Sequence, residues 1–215
     1  QKIENKLNDP WEKPKRMLLS YGRKARASSY NEEHKPDKSV DENCQTWWKA
    51  TSNHEQWLEI DLEEIRKVAV IQVNFADDKI DAVIPENSRV DTSFGYPRYI
   101  EERKFHSRWK VEGSSDGVSF EIIHDKSNAN TDLPHDLVVL EKPQNYRYIR
   151  LTIIDLPYNQ TPTISGLRVF GHGYGEKPEI VEIKSSSRNN DFEAELSWSA
   201  PGASGVNILF GHRPD

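Results

Sequence analysis

Trp57-Leu58-Glu59-Ile60-Asp61-Leu62 decides the fold. Its apolar and acidic residues alternate with a period of two, so a strand here puts Leu58, Ile60 and Leu62 on one face and turns Glu59 and Asp61 toward water. The same rhythm continues on both sides. Lys67–Phe75 is a longer β-branched run. Trp109–Gly113 and Ser119–Ile123 flank Ser114-Ser115-Asp116-Gly117, whose Asp-Gly pair adopts positive φ at little cost and so predicts a hairpin. Leu137–Leu140, Tyr146–Ile154 and Leu167–Phe170 add further strands, with Pro143 and Pro157 as punctuation between them. The pattern implies an all-β sandwich of jelly-roll type, with eight or so short strands, little helix, and Trp48, Trp57 and Trp109 in its core.

This β-rich stretch covers 17–173, and both flanks differ from it. Residues 1–16 are polar, with Pro10 and Pro14 around Trp11 and no sustained period, as expected of a linker. Residues 174–178 read as a second linker. After it, Glu179–Ile183, Phe192–Trp198 and Val206–Phe210 alternate as three strands, with Pro201 and Gly202 at a turn and Phe192, Ala194, Leu196 and Trp198 on one face. An immunoglobulin-like sandwich takes about 100 residues, so 179–215 holds only part of one. Inside the main domain, Ala76 to His106 has no clean period and far exceeds the usual loop of about 4–6 residues, a length associated with functional or mobile segments.

Of the 215 residues, 35% are hydrophobic and 30% charged, which suits a soluble globular protein rather than a disordered or membrane one. The formal charge of −6 argues against a nucleic-acid partner or an anionic lipid surface, both of which need clustered Lys and Arg. The basic run Lys13–Arg16 is short and reads as solvated linker. Cys44, the single cysteine, cannot form an intrachain disulfide, so packing, helped or not by a metal, must stabilise the fold. No apolar stretch approaches the roughly 20 residues needed for membrane insertion, and no signal peptide opens the chain at Gln1, so the sequence reads as an interior piece of something longer.

Chemistry-bearing motifs are sparse. There is no His-Glu-x-x-His, no Gly-x-Ser-x-Gly elbow, no phosphate-cradling glycine loop and no paired-cysteine spacing, so the segment is expected to be non-catalytic. Asp41, Asn43 and Thr46 place a carboxylate, an amide, a hydroxyl and loop carbonyls within a few residues, an oxygen-rich set suited to calcium. The same spacing also reads as an acidic turn whose side chains cap backbone amides. His124, Asp132, His135 and Asp136 crowd one connection without any diagnostic zinc spacing, and read as ordinary loop residues. Sugars offer apolar C–H faces to flat rings and hydroxyls to polar side chains, so the loop residues Trp47, Asn53, His54, Tyr96, Arg98 and Tyr158 are the candidate ligand-binding set. For any one of these aromatics, packing in the core or at its rim is the competing role.

Taken in order, Asp41 with Thr46-Trp47-Trp48, then Trp57–Leu62, Ser114-Ser115-Asp116-Gly117 with Phe120, Tyr148-Ile149-Arg150-Leu151 and Gly166-Leu167-Arg168-Val169-Phe170-Gly171 resemble the discoidin, or coagulation-factor type C, family. More narrowly, the chain resembles the region that follows the catalytic domain of some bacterial family 43 glycoside hydrolases, where a discoidin module precedes a fibronectin type III domain. Trp198 matches that domain's second-strand tryptophan. The resemblance implies a jelly roll whose loops at one end take ligands, with a structural calcium held by Asp41, the Asn43 carbonyl and Thr46. This chain departs from the pattern at Glu42, where the family has glycine, and at Gly166, where it has an acidic residue. The function implied is a carbohydrate-binding accessory module for polysaccharide or oligosaccharide, outside the cytoplasm in the periplasm, at the cell surface or secreted. The alternative is a structural module that packs against and supports the catalytic domain of its own parent protein.

Overall fold

A computed structural model of the chain describes residues 16–80, 84–86, 88–93, 95–96, 98–173, 179–188 and 191–201. Its strands are β1 (Met17–Leu18), β2 (Lys24–Ala27), β3 (Trp48–Lys49), β4 (Gln56–Phe75), β5 (Val90–Asp91), β6 (Arg98–Tyr99), β7 (Arg108–Ser114), β8 (Glu121–Asp125), β9 (His135–Asp155) and β10 (Thr163–Gly171). The hairpin β11 (Glu179–Arg188) and β12 (Asp191–Ser199) follows. Among the described residues helix is confined to two single 3-10 turns, Pro36–Ser39 and Pro157–Asn159. The architecture is the expected all-β, antiparallel jelly roll.

β4 and β9 are longer than the alternation suggests, because each joins two of the runs read from sequence. They pair in two stretches, Gln56–Asp61 against Ile153–Tyr148 and Arg66–Asn74 against Tyr146–His135. Between the stretches Glu63 lies at φ 69°, a left-handed bulge whose N–H is held by Asp61 Oδ1 at 2.7 Å. The pair therefore bends over itself and belongs to both layers. β2 and β7 pair with the Gln56 half of β4 and the Asp155 half of β9, giving the layer β2-β4-β9-β7-β8. β10 pairs with the Phe75 half of β4, giving β1-β10-β4-β9.

Between the layers lie Leu58, Ile60, Leu62, Trp109, Ile149 and Leu151 from one side and Val68, Ile71, Val73, Leu167 and Val169 from the other, all essentially inaccessible. Burying each such side chain contributes about 1.5–3 kcal/mol. Trp48 is also fully buried, and its indole N–H donates to the Ser29 carbonyl at 3.0 Å, which fastens the loop after β2 to the core.

Two sequence expectations need correction. Glu59 points outward but does not meet water, being only 1% exposed. Arg26 Nε donates to its Oε1 at 2.6 Å, and Arg150 donates to Oε2 from Nε at 2.9 Å and Nη2 at 2.7 Å, so two guanidinium groups roof the carboxylate. Asp61 is half-buried beneath Arg147, which holds both its oxygens at 2.8 and 2.9 Å. Trp57 is not in the core; it alternates outward with Glu59, with the Arg150 guanidinium 5.0 Å and the Arg26 guanidinium 5.9 Å from its ring centroid.

The bend brings both ends of β4 to one end of the sandwich. Thr163 pairs with Lys49, Ala50 N–H donates to Pro162 O at 3.0 Å, and Ala76 N–H donates to Thr163 O at 3.1 Å. Gln56, buried at the start of β4, ties the neighbouring loops together by accepting from the Ser28 and Ser29 hydroxyls at 2.7 and 2.6 Å and donating to Ser52 at 3.1 Å. Leu18 and Gly171, by contrast, lie toward the bent end, where Gly171 pairs with Val68.

Chain contacts separate Leu18–Gly171 from a second unit that includes the β11–β12 hairpin. In that hairpin Ile183 pairs with Leu196 and Ile180 with Trp198, and Leu196 and Trp198 are exposed. The expected strand Val206–Phe210 and the linkers 1–15 and 174–178 lie outside the described residues.

Candidate functional site

The loop end carries two clusters of rings and charges. In the first, Trp47 stacks on His34 with centroids 4.7 Å apart and planes within 14°. His34 is placed by two backbone bonds, its N–H to Asn31 O at 2.9 Å and its carbonyl to Lys49 N–H at 3.1 Å. Next to the stack Lys49 Nζ meets Asp78 Oδ2 at 2.7 Å, and this ammonium holds the Asp78 carboxyl below its ordinary range. The Trp47 indole N–H faces the same carboxylate, is buried, and closes no full hydrogen bond.

The second cluster is built on Tyr158, which sits at φ 57° in the turn after β9, followed by Asn159 at φ 54°. Phe105 packs on the Tyr158 ring at 4.4 Å, and the Arg103 guanidinium lies 5.3 Å from the Phe105 centroid and 5.6 Å from that of Tyr158. Arg103 grips Glu101 at 2.9 Å (Nε) and 2.6 Å (Nη2), which drives the Glu101 carboxyl down to about 2. The Tyr158 hydroxyl donates to Glu101 Oε2 at 3.1 Å, and burial, ahead of this contact, raises its pKa. Asn53 Nδ2 donates to Asn159 O at 3.3 Å, joining the β3–β4 loop to this cluster.

Of the six candidate ligand residues, the structure thus brings Asn53 and Tyr158 together and sets Trp47 in the neighbouring cluster. His54 is exposed beside Asn53, while Tyr96 (61% exposed) and Arg98 belong to the small β5–β6 hairpin, where Asp91 pairs with Arg98. Tyr158 has its hydroxyl on Glu101 and its ring against Phe105, and is half-buried. The two ends of the 76–106 excursion are fastened to the loop end, one by Asp78 on Lys49 and the other by Glu101, Arg103 and Phe105 on Tyr158. His34, Lys49, Asp78, Glu101, Arg103 and Phe105 were not singled out from sequence, where no motif or period marks them.

At Asp41 the turn satisfies itself. Asp41 Oδ1 accepts from Asn43 N–H at 2.9 Å, its Oδ2 accepts from the Thr46 hydroxyl at 2.7 Å, and Asn43 Oδ1 accepts from Gln45 N–H at 3.0 Å. Glu42, standing where the family has glycine, takes the left-handed φ of 59° that glycine favours, with its carboxylate bound by Arg168 at 2.9 Å. The donors are all oxygens, as calcium requires, but Asp41 is the one carboxylate among them. The loop residues near β8 and β9 are drawn apart: His124 packs near Trp109, Asp132 accepts from Ser107, His135 meets Asn74, and Asp136 pairs with Lys126. Among the described residues no group of three or more His, Cys, Asp or Glu side chains is placed to hold a metal.

A family model described as NedA-like, galactose-binding domain, of F5/F8 type C, matches residues 38–151. The chain belongs to this F5/F8 type C family. Solved structures with the same fold include the family 32 carbohydrate-binding module of NanJ from Clostridium perfringens, in complex with galactose, at 18% identity and TM-score 0.52 over 73% of this chain and 98% of that one. Another is chitosan-binding module 2, in complex with chitotriose, from a chitosanase/glucanase of Paenibacillus sp. IK-5, at 16% identity and TM-score 0.54 over 71% of this chain and 99% of that one. A third is the family 89 glycoside hydrolase of Clostridium perfringens, at 18% identity and TM-score 0.53, where the match covers 73% of this chain and 15% of the enzyme. No curated protein matches in sequence. The F5/F8 type C domain has a carbohydrate-binding-module fold, and among its described residues no helix is long and apolar enough to cross a membrane.

Proposed function

We propose that this module binds carbohydrate through its loop end and acts as the non-catalytic accessory domain of a polysaccharide-degrading glycoside hydrolase. The observation that carries the reading is the half-exposed Trp47–His34 stack flanked by Lys49 and Asp78, flat rings beside hydrogen-bonding groups, the pairing a sugar ring needs; half-buried Asn53 and exposed Tyr96 add a polar group and a ring on other loops. A weak contact of this kind raises the local concentration of enzyme on polymer without new chemistry. The parent is proposed to be of the family 43 type, acting in the periplasm, at the cell surface or outside, with 179–215 as the opening strands of a fibronectin type III-like sandwich. Affinity electrophoresis against xylan, arabinan, galactan and chitosan tests it. Tyr96→Ala and Asn53→Ala each weaken retention up to about tenfold; no retention on any polymer refutes the reading.

Calcium at Asp41, Asn43 and Thr46 is part of the same proposal. The all-oxygen donor set supports it, and the single carboxylate makes the site weak. Millimolar calcium then raises the melting temperature relative to chelator, and Asp41→Ala removes the rise.

One observation favours the supporting role instead. Ile122, Leu137 and Val139 are exposed, and Ile122 and Val139 line a groove of about 510 Å³ between β8 and β9, a surface suited to packing on the parent's catalytic domain.

A further inference from the structure

On the outward face of the β2-β4-β9-β7-β8 layer the register sets side chains in rows: Lys24 beside Asp61 beside Tyr148 beside Ser114, then Arg26 beside Glu59 beside Arg150 beside Glu112. A groove of about 410 Å³ crosses this face, away from the loop end. Two of its three carboxylates are bound by guanidinium groups, and the third, Asp116, is held by neutral donors. Glu59 lies under Arg26 and Arg150, and Asp61 is gripped by Arg147. Asp116 spends Oδ1 on the Val118 and Ser119 N–H groups, both at 2.8 Å, and on the Ser114 hydroxyl at 2.9 Å.

The positive charges are not used up in the same way. Arg26 commits only Nε to Glu59, so its terminal nitrogens make no hydrogen bond among the described residues. Lys24 stands across from Asp61 and helps to lower its carboxyl, yet closes no ion pair among the described residues. Two residues apart on β2, the pair projects to the same face, and both line the groove. Opposite them Asp116 Oδ2 makes no hydrogen bond among the described residues. Tyr148 forms part of the floor, its ring set against Gly117, where an added Cβ would come within 3.0 Å of it.

The geometry points to a second saccharide site here, selective for an acidic sugar residue whose carboxylate bridges Lys24 and Arg26 while its hydroxyls donate to Asp116. A neutral sugar would make no use of the Lys24 ammonium or the terminal nitrogens of Arg26, and a phosphate alone would leave Asp116 and Tyr148 without a role. In a chain of net charge −6, a groove whose Glu59 and Asp61 are bound by guanidinium groups and whose rim carries Lys24 and the terminal nitrogens of Arg26 stands out. The site is distinct from the loop end and stands whether or not the loop end binds glycan.

The test is an amide NMR titration of the whole chain with a trigalacturonate and with the neutral galactose trimer of the same linkage. The expected result is that the acidic trimer moves the Lys24, Arg26, Gly117 and Tyr148 amides and the neutral one does not. The response shrinks on going from about 0.02 M to about 0.5 M salt. Lys24→Gln weakens it about tenfold with an unchanged melting temperature, and Tyr96→Ala leaves it intact. Equal response to both trimers, shifts confined to the loop end, or unaltered affinity in Lys24→Gln overturns the inference. Failure of the loop-end reading shows itself separately, as neutral polymers that bind nowhere.

Discussion

Replacing Glu59 by alanine tests the most unusual feature of the outer sheet face. The carboxylate is 1% exposed and accepts three guanidinium hydrogen bonds. Removing one member of a buried ionic group costs about 3–5 kcal/mol, because the partner charge stays behind unpaired. The full penalty does not apply, since the two arginines differ. The Arg26 side chain is 61% exposed and rehydrates readily, while that of Arg150 is 25% exposed and pressed between Phe120, 3.8 Å from its guanidinium carbon, and Trp57. Only Arg150 bears much of the cost, which leaves about 2–3 kcal/mol. For a domain of this size about 2–4 °C accompanies each kcal/mol, so calorimetry should show a drop of about 5–10 °C. Arg26→Ala loses less than about 1 kcal/mol, as expected of a mostly solvated partner. A Glu59→Ala melt within about 1 °C of the parent would refute this account of the face.

Glu42→Gly should leave stability equal or higher, since glycine takes φ 59° freely and the Arg168 contact is partly exposed. Glu42→Val should lose about 2 kcal/mol in a urea melt, because a β-branched residue is strained there. Gly171→Ala should cost more than about 2 kcal/mol, since the new Cβ would overlap the Lys67 backbone carbonyl, which no side-chain motion can relieve. Acid should destabilise the module in a defined window. Asp116 and Glu101 titrate at about 2, lowered chiefly by the Val118 N–H and by Arg103 respectively, and Asp61 is lowered by Arg147. Their folded values lie below the unfolded ones, so the stabilisation is complete above the normal carboxylate range, about pH 4, and is lost as pH falls toward 2. Melting temperature against pH should show that fall, with a shallower slope in Asp116→Asn.

The strands were legible because alternation is local. Leu58, Ile60 and Leu62 face inward as read, and Asp116-Gly117 turns between β7 and β8, with Gly117 at φ 77°. What the sequence could not convey is what lies across from a residue. Glu59 does point outward, but Arg26 and Arg150, which cover it, are 33 and 91 positions away; Trp57 lies on the same outward face as Glu59, so its place outside the core was legible in the alternation itself. The bends in β4 and β9 were hidden because the positive φ falls on Glu63, not on a glycine. At the loop end, ring chemistry drew attention to Trp47 and Tyr158 but gave no sign that Tyr158 would be enclosed by Glu101, Arg103 and Phe105, because the excursion that carries them has no period.

Leu19 N–H donates to Val169 O at 2.7 Å and the Ser20 hydroxyl accepts from Val169 N–H at 3.0 Å, so the module's first and last strands are neighbours. A folded unit whose entrance and exit touch takes up almost no distance along the chain that carries it. Its loops lie at the end opposite this seam. Copies could be spliced in tandem or removed with little change in the spacing of whatever stands on either side, and tension along the parent chain would bear on the β1–β10 seam, bypassing the core.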